Sequence, residues 1–342
     1  MTRELRGALI GCGFFARNHL HAWQEIDGVR YIAVCDLDKD RAVSVSNEFG
    51  IPAYYANVEE MLQAEKPDFV DIVTQPATHR PLVELAARHG VHVICQKPIA
   101  PTMEDAQAII DACDTAKVQL MVHENFRWQT PMRETKAASE QIGELFFGQI
   151  SFRSAWDVYT SQPYLATDDR FIIYDLGVHL LDLARYFLGE VDQLTCQTQR
   201  ANRDIRAEDV ATILLKMRSG ASAIVDLSYF SKLEHELFPQ TLVHLEGTEG
   251  SVTLDRDYQL TVARSGEITK RSVPPRQFSW SEPPAMNIQE SVVAIQQHWV
   301  DSMRDGTTPE TSGVDNLRTI ELVFGSYESA ETGRPYRTVS TR

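Results

Sequence analysis

The stretch Gly11-Cys12-Gly13-Phe14-Phe15-Ala16 decides the fold. It follows an apolar run, Leu5 to Ile10, that reads as a strand, and it opens a helical pattern, Phe14 to Ile26. A Gly-x-Gly-x-x-Gly/Ala turn in that setting suits a dinucleotide. Gly11 permits the tight turn, Gly13 lets the backbone approach a pyrophosphate, and Ala16 keeps helix and strand close. The helix start offers unpaired N–H groups and partial positive charge to the phosphates. Phe14 and Phe15 sit at that helix start; they are candidate cofactor contacts or simply core.

Outward from this turn the two periods keep alternating. Val29 to Cys35 reads as a strand, Leu37 to Phe49 as a helix, and Phe69 to Val73 as a short buried strand. Pro81 to His89 is helical and stops at Gly90. Val91 to Cys95 is the next strand, Thr102 caps a helix to Lys117, and Gln119 to Val122 closes the series. Alternation of this kind implies a doubly wound parallel sheet, a Rossmann domain over residues 1–124.

From residue 125 the pattern changes. One strong helix, Tyr174 to Leu188, precedes alternating segments at Gln193 to Gln199, Ala211 to Met217, Ser222 to Ser228, Thr241 to Glu246 and Ser251 to Leu254. Short turns between them predict a large, mainly antiparallel open sheet. Two helices, Gln289 to Arg304 and Asp315 to Thr332, complete an α+β domain over residues 125–342.

Composition narrows the partners. The 342 residues carry a net charge of −15. Such a surface repels phosphate backbones and anionic membranes, so neither nucleic acid nor membrane is expected as a partner. The five cysteines form no CxxC pair, and Cys12, Cys35 and Cys95 end apolar runs as small hydrophobes, which predicts a reducing, cytoplasmic setting. Arg3 and Arg6 before Ala8 to Ala16 resemble a signal peptide only crudely, because two glycines interrupt the run. No apolar run approaches the roughly 20 residues of a membrane span.

Asp36 follows the second strand directly. A carboxylate there can accept both ribose hydroxyls of NAD. It would also repel a 2′-phosphate, by about 4 kcal/mol per unit charge at ~4 Å and an effective dielectric of ~20. NAD is therefore expected over NADP, although Arg41 nearby could pair with a 2′-phosphate. Asp36 could alternatively cap the next helix, a role equally open to Asp38.

Gln96-Lys97-Pro98 follows the strand Val91 to Cys95, and topology alone puts Lys97 at the crevice beyond the strand ends. Thr74, Gln75 and His79 occupy the same edge and, with Gln96 and Lys97, are candidate cofactor contacts, His79 being otherwise a first-turn helix residue. In Asp175-Leu176-Gly177-Val178-His179-Leu180-Leu181-Asp182, residues four apart share a face, so Asp175 and His179 point together and Asp182 continues that face. Gly177 between them suggests close packing or a ligand. Carbinol oxidation needs an acceptor for the hydride and a group to take the hydroxyl proton. Histidine titrates near neutrality, lysine can bond the reacting oxygen or act as base, and a carboxylate can orient the substrate. Lys97, Asp175 and His179 supply these parts. A metal reading of Asp175 and His179 needs a further ligand such as His123, Glu124 or Asp182; no metal is expected.

These motifs, in this order, resemble the Gfo/Idh/MocA oxidoreductase family over essentially the whole chain. Glu328-Ser329-Ala330-Glu331-Thr332-Gly333-Arg334-Pro335 also resembles that family's ending. The resemblance implies a Rossmann domain and an oligomerising open sheet, hence a homo-oligomer (dimer or tetramer). It implies hydride exchange between NAD(P) and a sugar, polyol or related carbinol. It also implies that Lys97, Asp175 and His179 serve the substrate. The family tripeptide usually begins with glutamate, whereas this chain has Gln96. Loss of that anion should ease deprotonation of Lys97, so Gln96→Glu is expected to raise the basic-limb pKa of the pH–rate profile. His123-Glu124-Asn125-Phe126-Arg127-Trp128-Gln129 resembles a sugar-dehydrogenase subgroup that includes D-apiose dehydrogenases. Asn125 and Arg127 are candidate hydroxyl-binding groups, Trp128 or Trp156 could stack on a sugar face, and Arg127 could instead pin the two domains. The alternatives are an NAD-assisted hydrolase or lyase without net redox change, and a nicotinamide-sensing binding protein.

Overall fold

The computed structural model describes residues 3–339. Its chain forms two units: one runs to Glu124 and takes in Val292–Arg318, and the other holds Asn125–Ser291 and the residues from Thr319 onward.

The first unit is built from β1 (Leu5–Ile10), α1 (Ala16–Gln24), β2 (Val29–Cys35), α2 (Lys39–Phe49), β3 (Ala53–Tyr55), α3 (Val58–Glu65), β4 (Phe69–Ile72), α4 (Pro76–Arg88), β5 (His92–Gln96), α5 (Met103–Ala116) and β6 (Leu120–His123). The strands lie in the order β3-β2-β1-β4-β5-β6, all parallel. The order reverses between β1 and β4, and ligands of such sheets bind beyond the strand ends at that reversal. Both faces of the sheet are covered, so β4 is buried at every residue. Helix α1 turns Ala16, His19, Leu20 and Trp23 inward, one stripe at helical spacing. Thr102 caps α5 as expected, its hydroxyl accepting from the Asp105 N–H at 3.0 Å.

The second unit contains α6 (Thr130–Ser139), β7 (Leu145–Arg153), a π-helical turn Ile173–Gly177, α7 (Val178–Leu188), β8 (Val191–Gln199), β9 (Val210–Met217), β10 (Ser222–Ser228), β11 (Leu242–Gly247), β12 (Gly250–Asp255), β13 (Gln259–Arg264) and β14 (Glu267–Ser272). Then come α8 (Met286–Asp305), α9 (Gly313–Thr332) and β15 (Tyr336–Arg337), the two helices each running from one unit into the other. The nine strands are ordered β14-β13-β12-β11-β7-β10-β9-β8-β15. Neighbours are antiparallel except β7 and β10, which pair in parallel from Phe147↔Ser222 to Arg153↔Ser228. Alternate residues such as Ile213, Leu215, Val225, Leu227, Val243 and Leu245 are buried on one face. Leu214 on the other is half exposed.

Three expectations are corrected. Residues 292–318 join the first unit. Trp299 of α8 lies 6.0 Å from Phe69, the Val122 N–H donates to the Thr311 carbonyl at 2.8 Å, and Met121 bridges to Ser312. The strand β7, absent from the sequence reading, lies inside the sheet and supplies its one parallel pair. The helix expected from Tyr174 is α-helical only from Val178.

Candidate active site

The dinucleotide turn has the features that the cofactor needs. Gly11 adopts φ +96°, and a Cβ there would lie 2.4 Å from the Val73 carbonyl oxygen, so only glycine fits where β1 and β4 part. A Cβ on Gly13 would meet nothing within 4 Å, which leaves the space beside the turn open for a pyrophosphate. Ala16 is buried at the first position of α1, and that helix begins with no side-chain cap and no acidic residue in its first turn. Its N–H groups are thus left for an anion. The two phenylalanines part company: Phe14 is 64% exposed, while Phe15 packs on the core around Leu9, Leu20 and Val34.

Asp36 ties the turn down. Its carboxylate accepts from the Cys12 N–H at 2.8 Å and from the Asp38 N–H at 2.9 Å. The cap of α2 is Asp38, which accepts from Asp40 and Arg41, so Asp36 does not serve as that cap. Arg41 stands 3.7 Å from Asp36 and the same distance from Asp38. Burial, helped by Asp36, pushes the Cys12 thiol up to about 12, which keeps it protonated in the turn.

At the ends of β4 and β5, Thr74 touches the Gly11 turn and accepts a 2.8 Å bond from the Thr78 hydroxyl, and Gln75 is exposed at the start of α4. His79 and Gln96 differ from expectation. His79 is fully buried, with Nδ1 3.0 Å from the Ile99 carbonyl and Nε2 3.0 Å from the Thr74 carbonyl. Its imidazole braces two loops and has no edge left for a cofactor. The Gln96 side chain turns inward, its Nε2 3.1 Å from His19 Nε2 and its Oε1 accepting from the Lys97 N–H at 2.7 Å. Lys97 itself is half-buried at the strand end.

The second unit holds the remaining candidates. Asp175 lies in the π-helical turn and is half-buried, so its spacing to His179 runs through a wider coil than the sequence reading assumed. A Cβ on Gly177 would come 3.2 Å from Leu227, which identifies close packing against β10 as the reason for glycine. Ten of the eleven residues of α7 are buried, so its polar side chains must find partners inside the protein. His179 is stacked on Phe126 at 3.8 Å with the rings 6° apart, which fixes the plane of the imidazole. Asp182 does not continue a reactive face. It is fully buried and takes the Arg127 guanidinium on both oxygens, at 2.7 and 2.5 Å, with Thr319 donating at 3.1 Å. Arg127 is therefore a buried clamp within this unit, committed to a carboxylate and not available to a sugar hydroxyl. Asn125 donates to the Ser291 hydroxyl at 2.6 Å. Trp156 is 43% exposed and lies flat on Phe238 at 5.3 Å. Asp175 contributes, after burial, to raising the Tyr229 hydroxyl, and it is one cause of the raised Asp168 carboxyl, again after burial. Among the described residues no three His, Cys, Asp or Glu side chains gather as a metal site.

Sequence reasoning missed His19, Asp71 and Phe126. Two of these left a signal: Asp71 interrupts the apolar run from Phe69 to Val73, and His19 falls on the buried stripe of α1.

Comparison with known proteins agrees with this geometry. Residues 5–124 match the Gfo/Idh/MocA oxidoreductase family, NAD-binding Rossmann fold, and residues 134–253 match the Gfo/Idh/MocA C-terminal domain. The chain belongs to the Gfo/Idh/MocA oxidoreductase family. Within it, the chain is 50% identical to D-apiose dehydrogenase of Rhizobium rhizogenes over 97% of its own length and 96% of the relative's. Identity to D-apiose dehydrogenase of Paraburkholderia graminis is 51%, over 97% and 89%. A crystal structure of an oxidoreductase from Agrobacterium radiobacter in complex with NAD+, L-tartaric acid and magnesium superposes with a TM-score of 0.96, at 50% identity and 98% coverage of each chain. This family member is an NAD-dependent oxidoreductase. Among its described residues, no helix is long and apolar enough to cross a membrane.

Proposed function

We propose that the chain oxidises a sugar carbinol with NAD, and that D-apiose is its substrate. The observation that carries this reading is the 50% identity to a D-apiose dehydrogenase over nearly the full length of both chains. Bound NAD supplies the acceptor for the hydrogen that leaves the carbinol carbon with its electron pair. The chain's own residues supply the rest. Lys97 and His179 hold and remove the hydroxyl proton, Asp175 orients the substrate, and the Phe126 stack keeps the His179 ring in one plane. Trp156, exposed and already flat against Phe238, offers an aromatic face to a sugar ring, and Asn125 is the proposed amide for its hydroxyls alongside its bond to Ser291. The L-tartaric acid held by the Agrobacterium protein is itself a vicinal diol, which agrees with a site for adjacent hydroxyls.

The setting proposed is cytoplasmic, in keeping with five free, buried cysteines. The assembly proposed is a homodimer or homotetramer built on the face of the nine-stranded sheet that carries the half-exposed Leu214. Light scattering of the purified protein measures the latter. For the activity, NADH formation is followed across D-apiose, other aldoses and inositols at one NAD concentration. D-apiose should give the highest kcat/KM. NADH formation that favours another sugar would move the substrate. Turnover without NADH would replace the reaction class.

A further inference from the structure

Beneath Lys97 runs a buried polar chain that the chemistry above does not use. Asp71 sits fully buried in the middle of β4. One of its oxygens, Oδ2, lies 2.8 Å from His19 Nδ1, 2.9 Å from Trp23 Nε1 and 3.3 Å from the Tyr31 hydroxyl. Trp23 can only donate, and the Tyr31 hydroxyl is held protonated by burial and by Asp71. The oxygen is thus an acceptor throughout, so His19 Nδ1 carries a hydrogen. At the other end of the chain the Lys97 N–H needs an acceptor, which is Gln96 Oε1 at 2.7 Å. That fixes the amide: its NH2 faces His19 Nε2, 3.1 Å away. Two N–H groups cannot bond each other, so Nε2 carries a lone pair. His19 is therefore neutral, with its proton on Nδ1.

We infer that Asp71, His19 and Gln96 form a proton-matched positioning chain that holds the backbone of Lys97, and that residue 96 sets whether His19 is neutral or charged. The inference rests on the proposed role of Lys97 for its kinetic consequence, not for its proton assignment. With Asp71 ionised, the chain carries one negative charge. A glutamate at 96 would present only acceptors, to His19 Nε2 and to the Lys97 N–H. A proton from solvent then fits on Nε2, and aspartate, imidazolium and glutamate again total one negative charge. The added anion is compensated before Lys97 senses it. The simple expectation that Gln96→Glu raises the basic limb is replaced by a conditional one: the limb moves only where residue 19 cannot take the proton.

The groups around His19 are consistent with a closed environment. Asp71 faces it from β4 and Tyr31 from β2, while Cys95 of β5 has its thiol raised by burial and, in smaller part, by Asp71. From β6 the His123 ring lies 4.1 Å away, tilted by 33°, and on α1 itself Phe15 meets it edge-on at 5.4 Å. Lys97 follows β5 directly. His19 is fully buried, so its bonded neighbours decide which state it holds.

The test uses the full chain labelled with 15N-histidine. At neutral pH the His19 signals of the wild type should show the neutral Nδ1–H tautomer, and those of Gln96→Glu the doubly protonated form. Kinetically, Gln96→Glu should shift the basic limb of kcat/KM by under about half a pH unit. In the His19→Asn background, where the amide can still donate to Asp71, the same change should shift it by about one unit or more. Doubly protonated His19 in the wild type overturns the inference, as does a neutral His19 in Gln96→Glu. Equal basic-limb shifts in the two backgrounds overturn it as well. The NMR arm decides the matter if His19→Asn fails to fold. If Lys97→Ala leaves activity intact, the proposed role of Lys97 fails while the proton assignment stands.

Discussion

Asp71 in the first unit and Asp182 in the second are both fully buried, and the protein compensates them in different ways. Asp182 receives a full cation: Arg127 grips it in a fork, Arg185 stands 3.8 Å away, and Thr319 adds a third donor. Asp71 receives an imidazole, an indole and a phenol, and its other oxygen has no hydrogen-bond partner. A fork of this kind fixes geometry and leaves nothing to adjust. A carboxylate held by neutral donors can pass a proton's worth of charge along the chain it terminates. The first arrangement suits a fastening within α7 and the turn before α6. The second suits the underside of Lys97, the lysine proposed to handle the hydroxyl proton.

The largest effect that probes this contrast is expected at Lys97. Lys97→Ala should lower kcat by about 10²- to 10⁴-fold while thermal unfolding and NAD binding stay close to wild type. Loss of the fold together with activity would assign Lys97 to the structural class instead. Asp182→Ala should do the opposite. It strands a buried guanidinium and should cost about 3–5 kcal/mol in denaturant unfolding. Asp71→Asn keeps an acceptor for Trp23 and Tyr31 and should cost less, about 1–2 kcal/mol. If the two aspartates prove equally costly, the distinction between clamp and adjustable chain collapses.

Smaller again is the effect at the cofactor edge. Asp36→Asn retains an acceptor for the Cys12 N–H but removes the charge, so kcat/KM with NADP should rise about tenfold relative to NAD, or about 1.4 kcal/mol. The smallest concerns His79, another imidazole set between backbone groups. Burial lowers its proton affinity below the ordinary 6.5, against the opposing pull of the Thr74, Ile99 and Pro98 backbone. The unfolded chain therefore binds a proton that the folded chain refuses. The stability involved is present above about pH 6.5 and is lost as pH falls from there toward the lowered folded value. A plot of Tm against pH should fall less steeply across that window in His79→Gln than in the wild type.

Where a signal was local, the sequence carried it. The glycine turn, Asp36 after β2 and Lys97 after β5 are each set by the few residues around them, and topology places them at one edge of the sheet. Where the determining contact is distant, periodicity carries no trace of it. Nothing near Val292 announces that Trp299 packs on Phe69, and nothing near Leu145 announces that β7 pairs in parallel with β10. The i, i+4 rule put Asp182 on the face of Asp175 and His179, but Asp175 sits in a π-helical turn and Asp182 answers to Arg127. His79 and Gln96 were correctly placed at the edge yet turn their polar atoms into the protein. A side chain's position in a strand or helix limits where it begins, and its hydrogen-bond needs decide where it ends.

The return of residues 292–318 to the first unit also bears on synthesis. Until that stretch has left the ribosome, Phe69 lacks the Trp299 ring and β6 lacks its partner at Thr311 and Ser312. At typical elongation rates, the interval between residue 124 and residue 318 lasts roughly 10 to 40 s. Throughout it the nascent dinucleotide domain exposes an unfinished flank, so its completion is timed by translation of the far end of the message.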